Sequence, residues 1–236
     1  MQYLSRENLR QIADIYLAGY EKKICRGVRM MRISPDLMAT ELLSLNITSY
    51  HLSKDGSVLG MTAFLPMGIE VWDDSWKQQI FFFGEGDILI EKNLQKDSGR
   101  YNFTLMHEIA HQILYRRFPE RPMKTVHRYE KKRQTERDWA EWQADTLASY
   151  LLMPEAVVYR ILHLLRADNG FNVLSRNYSC KEYQKFCDAA EMLGVSKTAL
   201  EIRLVELGLL RFYSLNDMLD IWKGDDDIKW SKQIAS

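Results

Sequence analysis

His107-Glu108-Ile109-Ala110-His111 sets two histidines four residues apart, with a glutamate directly after the first. On a helix such histidines stack on one face, close enough to hold a single metal ion. Glu108 lies about 100° round the helix from His107, within reach of a water on that ion. These residue types at this spacing can hydrolyse an amide near neutral pH. The metal lowers the pKa of its water, and the carboxylate takes the proton and passes it to the leaving nitrogen. A random chain of this length would contain the pattern roughly once in a hundred times or less. The competing reading is a pair of histidines decorating a partly buried helix. Against it, Tyr101 to Met106 before the motif and Ile109, Ile113 and Leu114 in and after it continue one amphipathic helix, with the histidines on a coherent face.

A hydrolytic zinc site takes three protein ligands and leaves a fourth position open. Glu141 is the expected third ligand. The segment from about Gln134 to Met153 has helical periodicity, with Trp139, Trp142, Ala144, Leu147, Ala148, Leu151 and Leu152 as its apolar face. Glu141 and Asp145 are four apart and share a face of that helix. One carboxylate can bind the metal while the other accepts the free N–H of a ligating histidine, so the expectation is Glu141 on the metal and Asp145 on His107. Glu136, Asp138 and His127 are competitors, and an ordinary solvated acidic face is the other account of the pair. Cys25 is remote, and Cys180 and Cys187 lie two turns apart on an expected C-terminal helix, so the cysteines are poor ligands.

Phe103 to His111, then Glu141-Trp142-Gln143-Ala144-Asp145, then Ala148-Ser149-Tyr150-Leu151-Leu152-Met153-Pro154, together resemble the ImmA/IrrE family of zinc metallopeptidases. The resemblance is strong over about 100–155 and weaker over 186–210. It implies His107 and His111 as metal ligands, Glu108 as general base, Glu141 as third ligand and Zn2+ as the cofactor. Asp145 fits the Glu-x-x-x-Asp arrangement of related zinc peptidases. Members are intracellular bacterial or phage-borne proteases that typically cleave a helix-turn-helix repressor, which makes such a repressor the implied protein substrate. The long basic insertion between the two metal-binding helices departs from the compact family pattern.

Around these residues the chain reads as α+β, with a small antiparallel sheet packed against zincin-type helices and a helical, helix-turn-helix-like C-terminal part. Residues 1–175 are expected to form the peptidase-like domain and 176–236 the helical segment. A helix is expected from about Arg6 to Ile24, and a second from Ser34-Pro35, a capping hydroxyl followed by proline, to about Leu43. Five strands follow: Ile47–Leu52, Val58–Leu65, Gly68–Trp72, Gln79–Phe83 and Asp87–Ile90, separated by turn signals and read as hairpins. An edge strand of such a sheet could pair with an extended substrate. Pro119 and Pro122 mark the basic stretch from Arg116 to Arg137 as a loop, either a solvated connector or an exosite for an acidic partner. Pro154 is expected to end one helix and begin the next. Phe186 to Leu200 reads as a helix-turn-helix, broken at Gly194 and capped again by Ser196. The tail around Asp225-Asp226-Asp227 is expected to be partly disordered.

The 236 residues carry 32 basic and 32 acidic side chains, a balance that counts against broad phosphate binding, so direct nucleic-acid binding is not expected. The second helix of the helix-turn-helix, with Lys197, Glu201, Arg203 and Glu206, is too mixed in charge to suit DNA. No apolar run approaches a membrane span, the first residues lack a signal-peptide pattern, and three cysteines without framework spacing suit a reducing, cytoplasmic setting. Oligomeric state is left open. Two other readings compete with the peptidase. One is a repressor- or DNA-docking module with a structural or degenerate zinc site, and the other is a proteolytic antidote or partner of a toxin. Tyr101, Tyr115, His127, Tyr129 and His163 are the candidates for stabilising the oxyanion of a tetrahedral intermediate.

Overall fold

In the computed structural model, residues 4–96, 98–119, 126–130 and 139–212 are described, with backbone alone for 126–130. Serine caps open most of the helices. Ser5 and Asn8 form a reciprocal capping box that starts α1 (Arg6–Tyr20), which runs on as a π-helical turn over Glu21–Cys25. Ser34 and Pro35 start α2 (Pro35–Leu37), again continued by a π-helical turn, Met38–Leu42. Ser98 caps α3 (Gly99–Arg117). Next come α4 (Trp139–Leu152) and α5 (Glu155–Leu164), with Pro154 capping the latter. The last pair is α6 (Cys180–Leu193) and α7 (Lys197–Glu206), separated by Gly194 in the left-handed region at φ 68 and recapped by Ser196.

The strands depart from the expected run of antiparallel hairpins. They are β1 (Asn46–Tyr50), β2 (Val58–Ala63), β3 (Met67–Trp72), β4 (Gln78–Phe83), β5 (Asp87–Glu91) and β6 (Val126–Glu130). A mixed four-stranded sheet runs in the order β1-β5-β2-β6, with β1 and β5 parallel and β2 antiparallel to both its neighbours. Among the described residues only β3 and β4 form a hairpin, as a separate two-stranded sheet. Alternation and turn signals mark where strands are, not which distant strand each will join. The sixth strand also corrects the reading of 116–137 as a loop. Pro119 and Pro122 precede β6 rather than interrupt it, and an edge strand tolerates charged residue types, so composition hid it.

The sheet is covered on both faces, and β2 is buried along its whole length. Met61 and Ala63 point to a small core shared with Leu89 of β5 and with Ile69, Val71 and Phe83 of the hairpin. The other face, carrying Gly60 and Thr62 of β2 with Ile88 and Ile90 of β5, meets α3. Gln112 fixes this contact by donating from Nε2 to Thr62 Oγ1 at 2.6 Å and to the Ala63 carbonyl at 2.8 Å. Beyond α3 lies the main core, to which α1, α4, α5, α6 and α7 all contribute.

The α6–α7 pair packs into that core. Asn102 in the first turn of α3 donates to the Gly194 carbonyl at 2.7 Å, and a Cβ on Gly99 would overlap the Val195–Ser196 backbone. Arg203, which reads as surface charge in the sequence, is 2 % exposed. Its Nε donates to the Met153 carbonyl at 3.1 Å, another guanidinium nitrogen meets Glu206 at 2.7 Å, and its plane lies 4.6 Å from the Tyr150 ring centre. The charges of α7 are thus partly spent inside the protein. Among the described residues no helix is long and apolar enough to cross a membrane. The Asp225–Asp227 tail lies outside the described residues.

Candidate metal centre

Helix α3 is buried at almost every position from Tyr101 to Leu114, so its polar side chains must be used within the fold. They divide by face. Glu108 and Gln112, four apart, turn toward β2, while His107 and His111 turn toward α4. His107 is 0 % and His111 1 % exposed.

The two imidazoles meet tip to tip, with His111 Nε2 3.1 Å from His107 Nε2. Glu141, in the first turn of α4, brings Oε2 to 3.4 Å from His107 Nε2. One donor atom from each of His107, His111 and Glu141 lies within 4.8 Å of the others. Ligand atoms about 2.0–2.2 Å from one ion at tetrahedral angles sit about 3.3–3.6 Å apart, so the spacing suits a zinc-sized ion with little rearrangement.

Asp145, one turn further along α4, accepts the other ring N–H of His107, with Nδ1 to Oδ1 at 2.8 Å. A proton held on Nδ1 leaves the Nε2 lone pair aimed at the shared point. Electrostatics favour positive charge there. Burial alone would push the His107 imidazolium down, but hydrogen bonds to Asp145 and Glu141, backed by the charges of Asp145 and Glu108, outweigh it and hold the group up at about 10. A field that retains a proton on a fully buried ring is one that a divalent cation can occupy in its place.

The structure therefore gathers His107, His111, Glu141 and Asp145 at one point, with Glu108 on the adjacent face of the same helix. Glu136 and Asp138 lie outside the described residues. Cys25, Cys180 and Cys187 are free thiols away from the cluster. The expected oxyanion donors are dispersed. The Tyr101 hydroxyl donates to Asp36, the Tyr115 ring stacks on Phe64, and His163 pairs with Asp168 at the surface. His127 and Tyr129 sit on β6, at the register positions opposite Thr62 and Gly60. Trp139 and Trp142 flank Glu141, their rings 5.7 Å apart and nearly perpendicular.

A family model described as the IrrE N-terminal-like domain, a peptidase family, matches residues 70–205. The chain belongs to this family. The match runs from β3 through α7 and so includes the whole His–His–Glu cluster, while α1, α2, β1 and β2 lie before it. No curated protein matches the chain. The IrrE-like assignment and the cluster together make this a peptidase-family protein with a site able to hold a metal ion.

Two contributors to the site carry little signal in the sequence. Gln112 looks like one more polar helix residue until Thr62 is found opposite it. Gly60 interrupts a strand pattern, which is a known mark of close backbone approach, but the sequence does not say what approaches.

Proposed function

We propose that this protein is a zinc-dependent metalloendopeptidase that cleaves a helix-turn-helix transcriptional repressor or a similar regulatory protein in the cytoplasm. The observation that carries the reading is the convergence of two imidazole nitrogens and one carboxylate oxygen on a single point, with Asp145 orienting His107. Three protein ligands leave a fourth position for reaction, whereas structural zinc sites are closed by four.

In this reading His107, His111 and Glu141 would hold zinc, which would supply a Lewis acid and a water made nucleophilic near neutral pH. Glu108 accepts the proton of the attacking water and delivers it to the leaving amide nitrogen, so that one peptide bond yields one carboxyl and one amine. Asp145 keeps His107 in a single tautomer. The outer edge of β6, unpaired among the described residues on a strand that packs against α3, would offer backbone donors and acceptors to an extended substrate with little regard to side-chain identity. Both Lys/Arg-rich flanks of that strand would favour an acidic segment.

The test is the Glu108→Gln variant, purified with zinc and used as a trap in the native host lysate. The variant is expected to bind about one zinc per chain and to retain a protein that the wild type cuts. Normal cleavage by Glu108→Gln would sink the proposed chemistry, and a trap holding no protein that the wild type cuts would sink the assigned substrate class.

A further inference from the structure

Gly60 is the feature of the site that neither the cluster nor the family match accounts for. It lies in β2, ahead of the matched residues, at the center of the face on which α3 rests. Its backbone has no positive φ, unlike Gly56 and Gly86 nearby, so conformational freedom does not explain a glycine here. Alanine would ordinarily suit a strand better than glycine, which loses more backbone freedom on folding. The explanation is spatial. A Cβ on Gly60 would fall 2.8 Å from Glu108 Oε1, 3.0 Å from Glu108 Cγ and 3.0 Å from the Thr104 methyl. The ladder between β2 and β6 also slips at this point, between Val58 and Gly60, as at a β-bulge.

We propose that Gly60 is a positioning residue for Glu108, and that the bare backbone of β2 is the floor that sets how far the carboxylate stands from the metal cluster. The proposal rests on the reading of Glu108 as the general base. Glu108 is 0 % exposed, so a methyl group pushed against it cannot be answered by a swing into solvent. The backbone on either side is held by the β5 and β6 ladders and by the Gln112 hydrogen bonds, which leaves the carboxylate as the softest part of the contact. A shift of about 1 Å in a catalytic group can cost 100-fold in rate.

The test is a double-mutant cycle of Gly60→Ala and Glu108→Ala in the full chain, with cobalt(II) as spectroscopic probe. In the metal-free protein, Gly60→Ala is expected to lower the melting temperature by roughly 3 °C or more. In the Glu108→Ala background the same change is expected to cost clearly less, because only the Thr104 methyl remains close to the added Cβ. Loaded with cobalt, Gly60→Ala is expected to bind one equivalent while its visible bands move toward those of Glu108→Ala. Thr104→Ser, which removes the other crowded methyl, is expected to recover part of the melting temperature in Gly60→Ala but not the bands. If Gly60→Ala fails to fold, recovery of folding by Glu108→Ala supports the proposal and continued failure overturns it. An equal thermal cost in both backgrounds, or wild-type bands in Gly60→Ala, would also overturn it. A wild type that binds no cobalt would instead refute the metallopeptidase reading and leave the thermal cycle to decide the contact.

Discussion

His107 and Asp145 are joined by a 2.8 Å hydrogen bond in which a fully buried ring meets a carboxylate whose side chain is 48 % exposed. The ring is thus oriented by a carboxylate of α4 at Nδ1, while its Nε2 faces His111 and Glu141. Removing the carboxylate, in Asp145→Ala, frees the tautomer and the ring angle together. Metal affinity is expected to fall about 10–100-fold, measured by competition with a chromophoric chelator. An unchanged affinity would show that α3 packing alone orients the ring.

The cluster itself makes a sharper prediction. Wild-type protein is expected to hold about one zinc per chain by plasma mass spectrometry, and His111→Ala and Glu141→Ala are each expected to lose most of it. Full retention in Glu141→Ala would assign the third ligand elsewhere.

Gln112 links the helix to the sheet through two donations from one nitrogen. Truncation in Gln112→Ala leaves the Thr62 hydroxyl and the Ala63 carbonyl buried without this donor. A loss of about 1–3 kcal/mol is expected, read as a lower urea midpoint with unchanged slope. A loss near zero would mean that water replaces the amide.

The acid limb of stability is tied to Glu206. Burial would raise its pKa, but hydrogen bonds from Tyr150 and Arg203 and the charges of Arg203 and Arg6 outweigh this and hold it below the usual 4.5. A carboxyl whose folded pKa is depressed stabilises the fold in full above its unfolded value, and the contribution fades as pH falls through the folded one. Between pH 7 and 5 the wild type is therefore expected to hold steady in this respect, then to lose stability below about 4.5. Glu206→Gln is expected to be weaker near neutrality and to show a flatter acid limb in urea titrations at several pH values. Parallel acid limbs for the two proteins would remove Glu206 from the account.

The clustering of His107, His111 and Glu141 was legible because helical spacing converts directly into geometry: residues four apart must share a face. His107 with His111 and Glu141 with Asp145 are both such pairs. Capping signals were equally local: Ser34 and Ser196 stand at helix starts as read, while the caps Ser98 and Ser179 were not picked out. The sheet was not legible in the same way. Pairing β1 in parallel with β5 depends on chain reversal over some forty residues, and nothing in either strand names the other. Strand β6 was hidden by its charges, and Arg203 by the assumption that a guanidinium faces water. Gly60 carried little signal, and its meaning required Glu108 above it.

Trp139 and Trp142 lie on either side of Glu141 in the first turn of α4, with Trp139 55 % exposed. A paramagnetic ion settling beside Glu141 would drain their excited states, whereas d10 zinc would leave them bright. Filling of the site by such an ion can thus be followed by tryptophan emission, and zinc by its competition with that ion, without substrate or knowledge of what is cut.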